Sequence, residues 1–478
     1  MKFPRLVLAG LKGGSGKTIV SLSLCRALHE QAYKIKPFKK GPDYIDAKWL
    51  SLAAGHEASN LDPFLFSSSR VSRLFWSYAR NFDFAIVEGN RGLFDGKDVQ
   101  GTFSTAELAR LLAAPVVLIV DCTKVTRTMA AIIQGCKSFE PGLNIAGVIL
   151  NQTAGNRHRS ILRRSIESYT DLPVLGELPK IKENPIPERH MGLISDQEFC
   201  GTDKIFSFLS SVAGDYLDTK ALLDIAAKAP ESCGPVSIFD GSPRTQISEV
   251  VIGYVSDAAL WFYYQENIDA LKACGANVVQ LSLLDKKPWP EIHGLYLGGG
   301  FPETLGLGLS ENHGLKNVLS GLINQGLPVF AECGGFMYLG QNLSYAGQKF
   351  HMAGILPVET KVGNKPQGHG YVQGEIVKDN PFFPVGYEVH GHEFHYSRCE
   401  LSAETPCLFA LNLSRGVGID RGMDYLNFRN VLAGYTHIHA LGHDEWAPNF
   451  FRAAKIYKQA RINGGCCPDI DAGNQSLL

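Results

Sequence analysis

Net charge is almost absent from this chain. Its 46 Lys and Arg against 47 Asp and Glu leave a formal charge of -1 over 478 residues. No basic block stands out either, so nucleic acid is not an expected partner. No apolar run approaches the length of a bilayer span, and no membrane partner is expected. The opening Met1-Lys2-Phe3-Pro4-Arg5 leads into a strand and a glycine loop, unlike a secretion signal, which points to the cytoplasm. The 11 cysteines include no CxxC pair and keep no regular spacing. That argues against a disulfide frame or a zinc ribbon and for reduced thiols. Internal repeats and low-complexity tracts are missing too. What is present is ordinary globular composition, 45% hydrophobic and 19% charged. The length exceeds what one hydrophobic core serves, so two or three domains are expected.

Apolar runs and helical patterns alternate along the first half. "RLVLAG", "FDFAIVEG", "APVVLIVD" and "NIAGVILN" read as buried strands, with "TIVSLSLCRALHEQ", "STAELARLLA" and "HRSILRRSIESY" as helices between them. Continuous apolar strands alternating with helices predict a parallel sheet covered on both faces. After "ERHMGLIS" and a helical stretch comes the Pro-, Gly- and Ser-rich "APESCGPVSIFDGSPRTQ", where a domain boundary is expected near residues 231–247. The alternation then restarts, giving domains over 1–230 and 248–460. "VVIGYVSD", "NVVQLSL", "GLYLGGG" and "GLPVFAECGG" are strands, "RNVLAGYTHIHA" is a strand carrying two histidines, and "LWFYYQENIDAL" is a helix start. The last dozen residues have the composition of a disordered tail.

"LAGLKGGSGKTIV" lies between the first strand and the first helix. Gly13, Gly14 and Gly16 let backbone amides curl round an anion, and the helix N-terminus adds its dipole. Lys17 can reach β- and γ-phosphates, and Thr18 can help hold Mg²⁺. Leu11 stands where GxxxxGK[ST] has its first glycine, and Lys12 precedes the glycines as in a deviant P-loop with an extra lysine. Asp43 and Asp46 follow the second strand, and Glu88 and Asp95 follow a later one. Strand ends of a parallel sheet open onto one crevice, so these carboxylates can converge on the phosphates and on Mg²⁺. For Asp43 and Asp46 taken singly, helix capping is the stronger alternative.

Cys333 stands between the apolar "PVFAE" and a pair of glycines. A cysteine on a strand–turn–helix elbow becomes a nucleophile when a histidine takes its proton and amides receive the oxyanion. Gly298-Gly299-Gly300 can supply the amides, and His437 or His439 the base. Two histidine groups, 390/392/395 and 437/439/443, have metal-like spacings, but no cysteine accompanies them and packing is the stronger reading. Cys466 and Cys467 suggest no role.

Seven stretches, "KPFKKGPDYID", "VEGNRGLFDG", "GVILN", "PERHMGL", "YLGGGFPE", "AECGGFMYL" and "GHEFHYS", follow one another in order over nearly the whole chain. Together they resemble the cobyrinic acid a,c-diamide synthase family, which includes relatives acting on nickel sirohydrochlorin. The resemblance implies an α/β fold of two parts. The first is a P-loop parallel-sheet domain like dethiobiotin synthetase, and the second is a class I glutamine amidotransferase-like α/β domain. It implies a cytoplasmic ligase that uses ATP, Mg²⁺ and glutamine to amidate two carboxylates of a corrinoid through an acyl phosphate. A buried route for ammonia is implied as well, and a homodimer is allowed. By motif, Cys333 is the nucleophile and His437 its base, with His439 the runner-up. Lys12, Gly13, Gly14, Gly16, Lys17 and Thr18 fall on the phosphate loop, and Asn151 falls where this class touches adenine. Thr18, Asp43 and Glu88 fall on the metal, and Asp46 and Asp95 on the substrate.

One departure stands out, because this class often has an acid two residues after the base where the chain has His439. No residue decides between a cobalt corrinoid and nickel sirohydrochlorin. A partner-switching P-loop ATPase is the rival class; it accounts for residues 1–200 and leaves Cys333 and His437 unused.

Overall fold

A computed structural model describes residues 2–78, 81–181, 188–189, 192–193, 202–232, 238, 249–401 and 408–473. Contacts divide the chain into two compact units, Met1–Pro63 with Ser67–Ile238, and Phe64–Phe66 with Phe239–Leu478. Among the described residues no helix is long and apolar enough to cross a membrane.

The first unit is built on a seven-stranded sheet. Its strands are β1 (Arg5–Gly10), β2 (Ile35–Lys40), β3 (Ser59–Leu61), β4 (Phe84–Gly92), β5 (Val116–Asp121), β6 (Ile145–Thr153) and β7 (Val174–Pro179). They are ordered β3-β2-β4-β1-β5-β6-β7, and every pairing is parallel. Parallel strands need crossover helices on both faces, which is why these strands are apolar on both sides. The chain order reverses direction beside β1, so a crevice opens at its carboxyl end. Helix α1 (Lys17–Glu30) starts there, and α2 (Tyr44–Ala54) follows β2.

One departure from apolar patterning matters for the site: β2 reads IKPFKK, yet all six residues are buried. Each lysine has an internal counterpart, as a buried ammonium requires. The Lys36 ammonium donates to Glu57 O at 2.6 Å and lies 3.8 Å from the centre of the Tyr78 ring. Lys39 meets carboxylates, and Lys40 feels Asp62.

A ten-stranded sheet forms the second unit. Its parallel half runs Asn277–Leu281, Val251–Val255, Gly294–Leu297, Val329–Glu332 and Val431–Gly434. The antiparallel half continues through Met423–Phe428, Leu408–Arg415, Gly368–Ile376, Glu388–His395 and His437–Ile438. His437–Ile438 is thus tenth in the ladder, yet it begins three residues after Gly434, the end of the fifth strand. Three residues reach only about 10 Å. The antiparallel half therefore curls back and delivers its last strand beside the first half.

Three sequence expectations change here. "RNVLAGYTHIHA" is two strands of different neighbours, because the chain leaves the parallel half at Gly434. Leu260–Phe262 is a strand paired to Gly299–Gly300, and the helix starts only at Gln265. The tail is docked as far as Ala472. Asn430 donates to Gly326 O and Pro468 O and accepts from Ile470 N–H, while Arg452 donates to Asp471 O and Ala472 O. Side-chain amide and guanidinium donors hold a segment whose composition carries no such signal. Most of the expected boundary at 231–247 lies outside the described residues, as do three residues of "PERHMGL"; its other four pair as Glu188–Arg189 with Gly192–Leu193.

Candidate active sites

In the first unit the glycine loop joins β1 to α1. Gly14 has φ +72° and Gly16 φ +93°, the left-handed region that suits glycine. A Cβ on Gly16 would also fall 2.1 Å from Asn151 Nδ2, and that nitrogen donates to Ser15 O at 2.9 Å. Asn151, at the end region of β6, therefore buttresses the loop. Lys17 is buried, and its ammonium donates to Arg91 O at 2.8 Å and to Lys12 O at 3.3 Å. Burial and the nearby Lys39 hold its pKa below the usual lysine range. Lys12 is exposed and reaches Asp121, at the end of β5, at 3.5 Å.

Beside this loop a chain of polar groups runs between strand ends. The Thr18 hydroxyl donates to Glu88 Oε1 at 3.1 Å. Lys39 donates to the same oxygen at 2.6 Å and to Asp46 Oδ2 at 2.5 Å. Glu88 is fully buried, and its Oε2 has no hydrogen-bond partner among the described residues. Burial pushes the Glu88 carboxyl up, against the pull of Lys39. Burial opposes the charge on Lys39, but Asp46 and Glu88 hold its ammonium above the ordinary range. Asp43 caps α2 by accepting from Asp46 N–H at 2.9 Å. Asp95 Oδ2 accepts from Gly92 N–H at 2.9 Å, and its charge acts on Lys17.

The second unit holds the thiol. Cys333 sits between strand Val329–Glu332 and helix Gly334–Leu339 with φ 46° and ψ -99°, a strained conformation for a side-chain-bearing residue. Its amide donates to Gly434 O at 2.7 Å, and Gly335 N–H donates to Gly298 O at 3.0 Å. The turn is packed too tightly for side chains: a Cβ on Gly334 would lie 2.8 Å from Gly300 N, and one on Gly335 2.6 Å from Leu297 Cβ. Burial pushes the Cys333 thiol up, and the nearby Glu303 adds to this, so the resting group is a neutral thiol.

The two histidines differ in what they face. His437 lies against the glycine loop, since a Cβ on Gly299 would fall 2.5 Å from its Cε1 and 3.3 Å from its Nε2. Its Nδ1 side faces Glu332 Oε2 at 3.7 Å, and its ring stacks on His392 with centroids 4.9 Å apart. His439 instead stacks on Tyr264 at 4.6 Å and faces Glu266 Oε2 at 3.5 Å.

Residues 6–194 match the family described as the CobQ/CobB/MinD/ParA nucleotide binding domain, and residues 251–445 match the CobB/CobQ-like glutamine amidotransferase domain. A cobyrinate a,c-diamide synthase of Magnetococcus marinus is 40% identical over 464 residues, 96% of this chain and 99% of that protein. The chain belongs to the cobyrinate a,c-diamide synthase family. Members from Archaeoglobus fulgidus and Dehalococcoides mccartyi are 38% and 37% identical, covering 95% and 96% of this chain and 98% and 99% of their own. It is accordingly an α/β protein with a P-loop-type nucleotide-binding part and a glutamine amidotransferase part.

In this a,c-diamide synthase family member the structure brings Thr18, Glu88 and Asp46 into one network and sets Lys17 beside it. Asp43 and Asp95 stand at its edge, each with one carboxylate oxygen given to a backbone amide. Two residues escaped the sequence reading. Lys39, which joins Glu88 to Asp46, stands in a stretch read for its two aspartates and received no role of its own. Glu332 directly precedes the thiol, and the only signal for it was an acid inside an apolar strand.

Proposed function

We propose that this chain amidates the a and c side-chain carboxylates of cobyrinic acid, at the expense of ATP and glutamine, with the work divided between its two units. The observation that carries the division is the presence in one chain of a strained thiol elbow, packed on the glycine loop that His437 lies against, and a P-loop beside a buried acidic cluster.

In the glutaminase half we assign Cys333 as nucleophile and His437 as base. The Cys333 proton passes to His437 as the sulfur attacks the glutamine carboxamide carbon. Amides of the glycine loop beyond Gly298, whose own N–H donates to the Tyr263 hydroxyl at 2.6 Å, receive the developing oxyanion. His437 then returns the proton to the departing nitrogen, ammonia leaves, and water cleaves the thioester to glutamate.

In the synthetase half a carboxylate is a poor acyl donor, so phosphorylation by ATP supplies a leaving group and ammonia attacks the acyl phosphate. Lys17 and the loop amides of Gly13, Gly14 and Gly16 hold the phosphates, Lys12 adds charge from the loop, and Asn151 keeps the loop in shape. Thr18 and Glu88 fit Mg²⁺, because they offer adjacent hard oxygens and Glu88 Oε2 is buried without a hydrogen bond. When bound, the ion neutralises phosphate charge. Asp46 and Asp95 orient the tetrapyrrole, and Asp43 serves as a cap that sets α2 beside them. We assign the reaction to the cytoplasm, where Cys333 stays reduced.

The purified chain, given cobyrinic acid, ATP, Mg²⁺ and glutamine, should release ADP, phosphate and glutamate in step with amide formation. ATP hydrolysis without any amidated corrin would overturn this reading.

A further inference from the structure

The base His437 has no acid two residues downstream, where position 439 is another histidine. We infer that Glu332, the residue directly before the nucleophile, is the positioning acid for His437 and completes a triad from the opposite direction along the chain. The inference rests on the assignment of Cys333 and His437 made above.

The carboxylate is built in rather than incidental. Glu332 ends its strand fully buried, and it is paired in register with Gly434 on the neighbouring strand. Its Oε1 accepts from Ile438 N–H at 2.8 Å, which ties it to the residue after His437. Its Oε2 accepts from the Tyr296 hydroxyl at 2.8 Å and faces His437 Nδ1 at 3.7 Å. Tyr296 in turn accepts from Asn267 Nδ2 at 3.1 Å. The same Asn267 clasps the histidine segment from both ends, donating to Ile438 O at 3.0 Å and accepting from Ala440 N–H at 2.7 Å. A side chain on the helix Gln265–Ala273, a tyrosine on one strand and an acid on the next thus hold a two-residue strand in place.

This arrangement has a chemical consequence. A carboxylate at Nδ1 favours the tautomer with its proton there, leaving Nε2 as the acceptor for the Cys333 proton. It also stabilises the imidazolium once that proton has moved. His439 has its own buried acid, Glu266, at 3.5 Å, but its ring lies against Tyr264, whereas His437 lies against the oxyanion loop. Of these two histidines, each facing a buried glutamate, only His437 lies against the glycine loop that packs on the thiol turn. An acid placed two residues after the base would stand just past that two-residue strand, where the next turn begins. Here that duty passes to the nucleophile's own strand, and position 439 is released for a histidine.

Glu332→Gln tests this. The amide keeps an acceptor for Ile438 but presents an N–H₂ group towards Nδ1, which favours the wrong tautomer. Glutaminase kcat should fall by about a hundredfold or more with KM for glutamine little changed. Ammonia-dependent amidation should stay near the parent value. Glu332→Asp, which keeps the charge on a shorter arm, should recover part of the loss. Glu266→Gln should leave glutaminase kcat within about threefold. Full glutaminase kcat in Glu332→Gln would overturn the inference, as would equal losses in Glu332→Asp and Glu332→Gln with the fold intact by melting temperature. The underlying assignment fails separately, if His437→Asn or Cys333→Ala keeps glutaminase activity. A loss in Glu266→Gln alone would transfer both roles to the His439 pair.

Discussion

Gly299→Ala isolates the glutaminase geometry with one methyl group. Its carbon would stand 2.5 Å from His437 Cε1 and 3.0 Å from Phe262 Cδ2. Carbon atoms in contact sit about 3.5–4.0 Å apart, so one neighbour must retreat by about 1 Å. Phe262 lies on the strand paired to Gly299–Gly300, with Phe301 packed on it at 5.2 Å between centroids. The His437 ring is backed by Glu332 on one side and by His392 on its face. Overpacking of this kind destabilises by about 1–3 kcal/mol. A 1 Å displacement of a reacting group can reduce rate about a hundredfold, equivalent to about 2.7 kcal/mol of barrier. Glutamine-dependent amidation should therefore fall about a hundredfold while ammonia-dependent amidation survives, both followed by corrin amide formation, with melting temperature as the control. Unchanged glutaminase kcat in a folded variant would refute His437 as the base.

Cys333→Ala should abolish glutamine-dependent amidation and leave the ammonia-dependent reaction measurable, since the thiol is needed only to release ammonia. Equal loss with both nitrogen sources would contradict the division. Lys17→Ala should lose both amidation reactions and retain basal glutaminase, read as glutamate release. Glu88→Gln should act mainly on kcat, by about tenfold or more with either nitrogen source. Asp43→Ala should instead lower stability by a capping-sized amount, about 1 kcal/mol, with turnover largely kept. Burial holds His443 neutral, with its pKa lowered from 6.5 to about 4. The unfolded chain takes up that proton first, so the contribution is whole above pH 6.5 and is lost as pH falls towards 4, up to about 3 kcal/mol. Urea midpoints at pH 7 and 5 should converge for parent and His443→Asn at the lower pH; parallel curves would contradict it.

The elements that local patterning specifies were legible without coordinates. Strands such as "VVLIVD" declare burial by apolar continuity, and GKT after a strand declares a phosphate loop, because both signals lie within a few residues. Cys333 between a strand and two glycines was legible for the same reason. Glu332 was not, since its meaning comes from His437, which pairs into the tenth strand of a sheet that curls back on itself. The role of Lys39 was not legible, because only the convergence of β2 and β4 with α2 shows its carboxylate partners. The tail failed likewise: Asn430 and Arg452 hold it from far along the chain.

The most direct test of the account follows nitrogen. The purified chain, supplied with cobyrinic acid, ATP, Mg²⁺ and glutamine labelled in its amide, should yield a corrin carrying two labelled nitrogens, at the a and c side chains. Cys333→Ala should give none from glutamine, but the same diamide from labelled ammonia. Label in other side chains, an unamidated corrin with glutamate still released, or a Cys333→Ala protein that still transfers glutamine nitrogen would contradict the account.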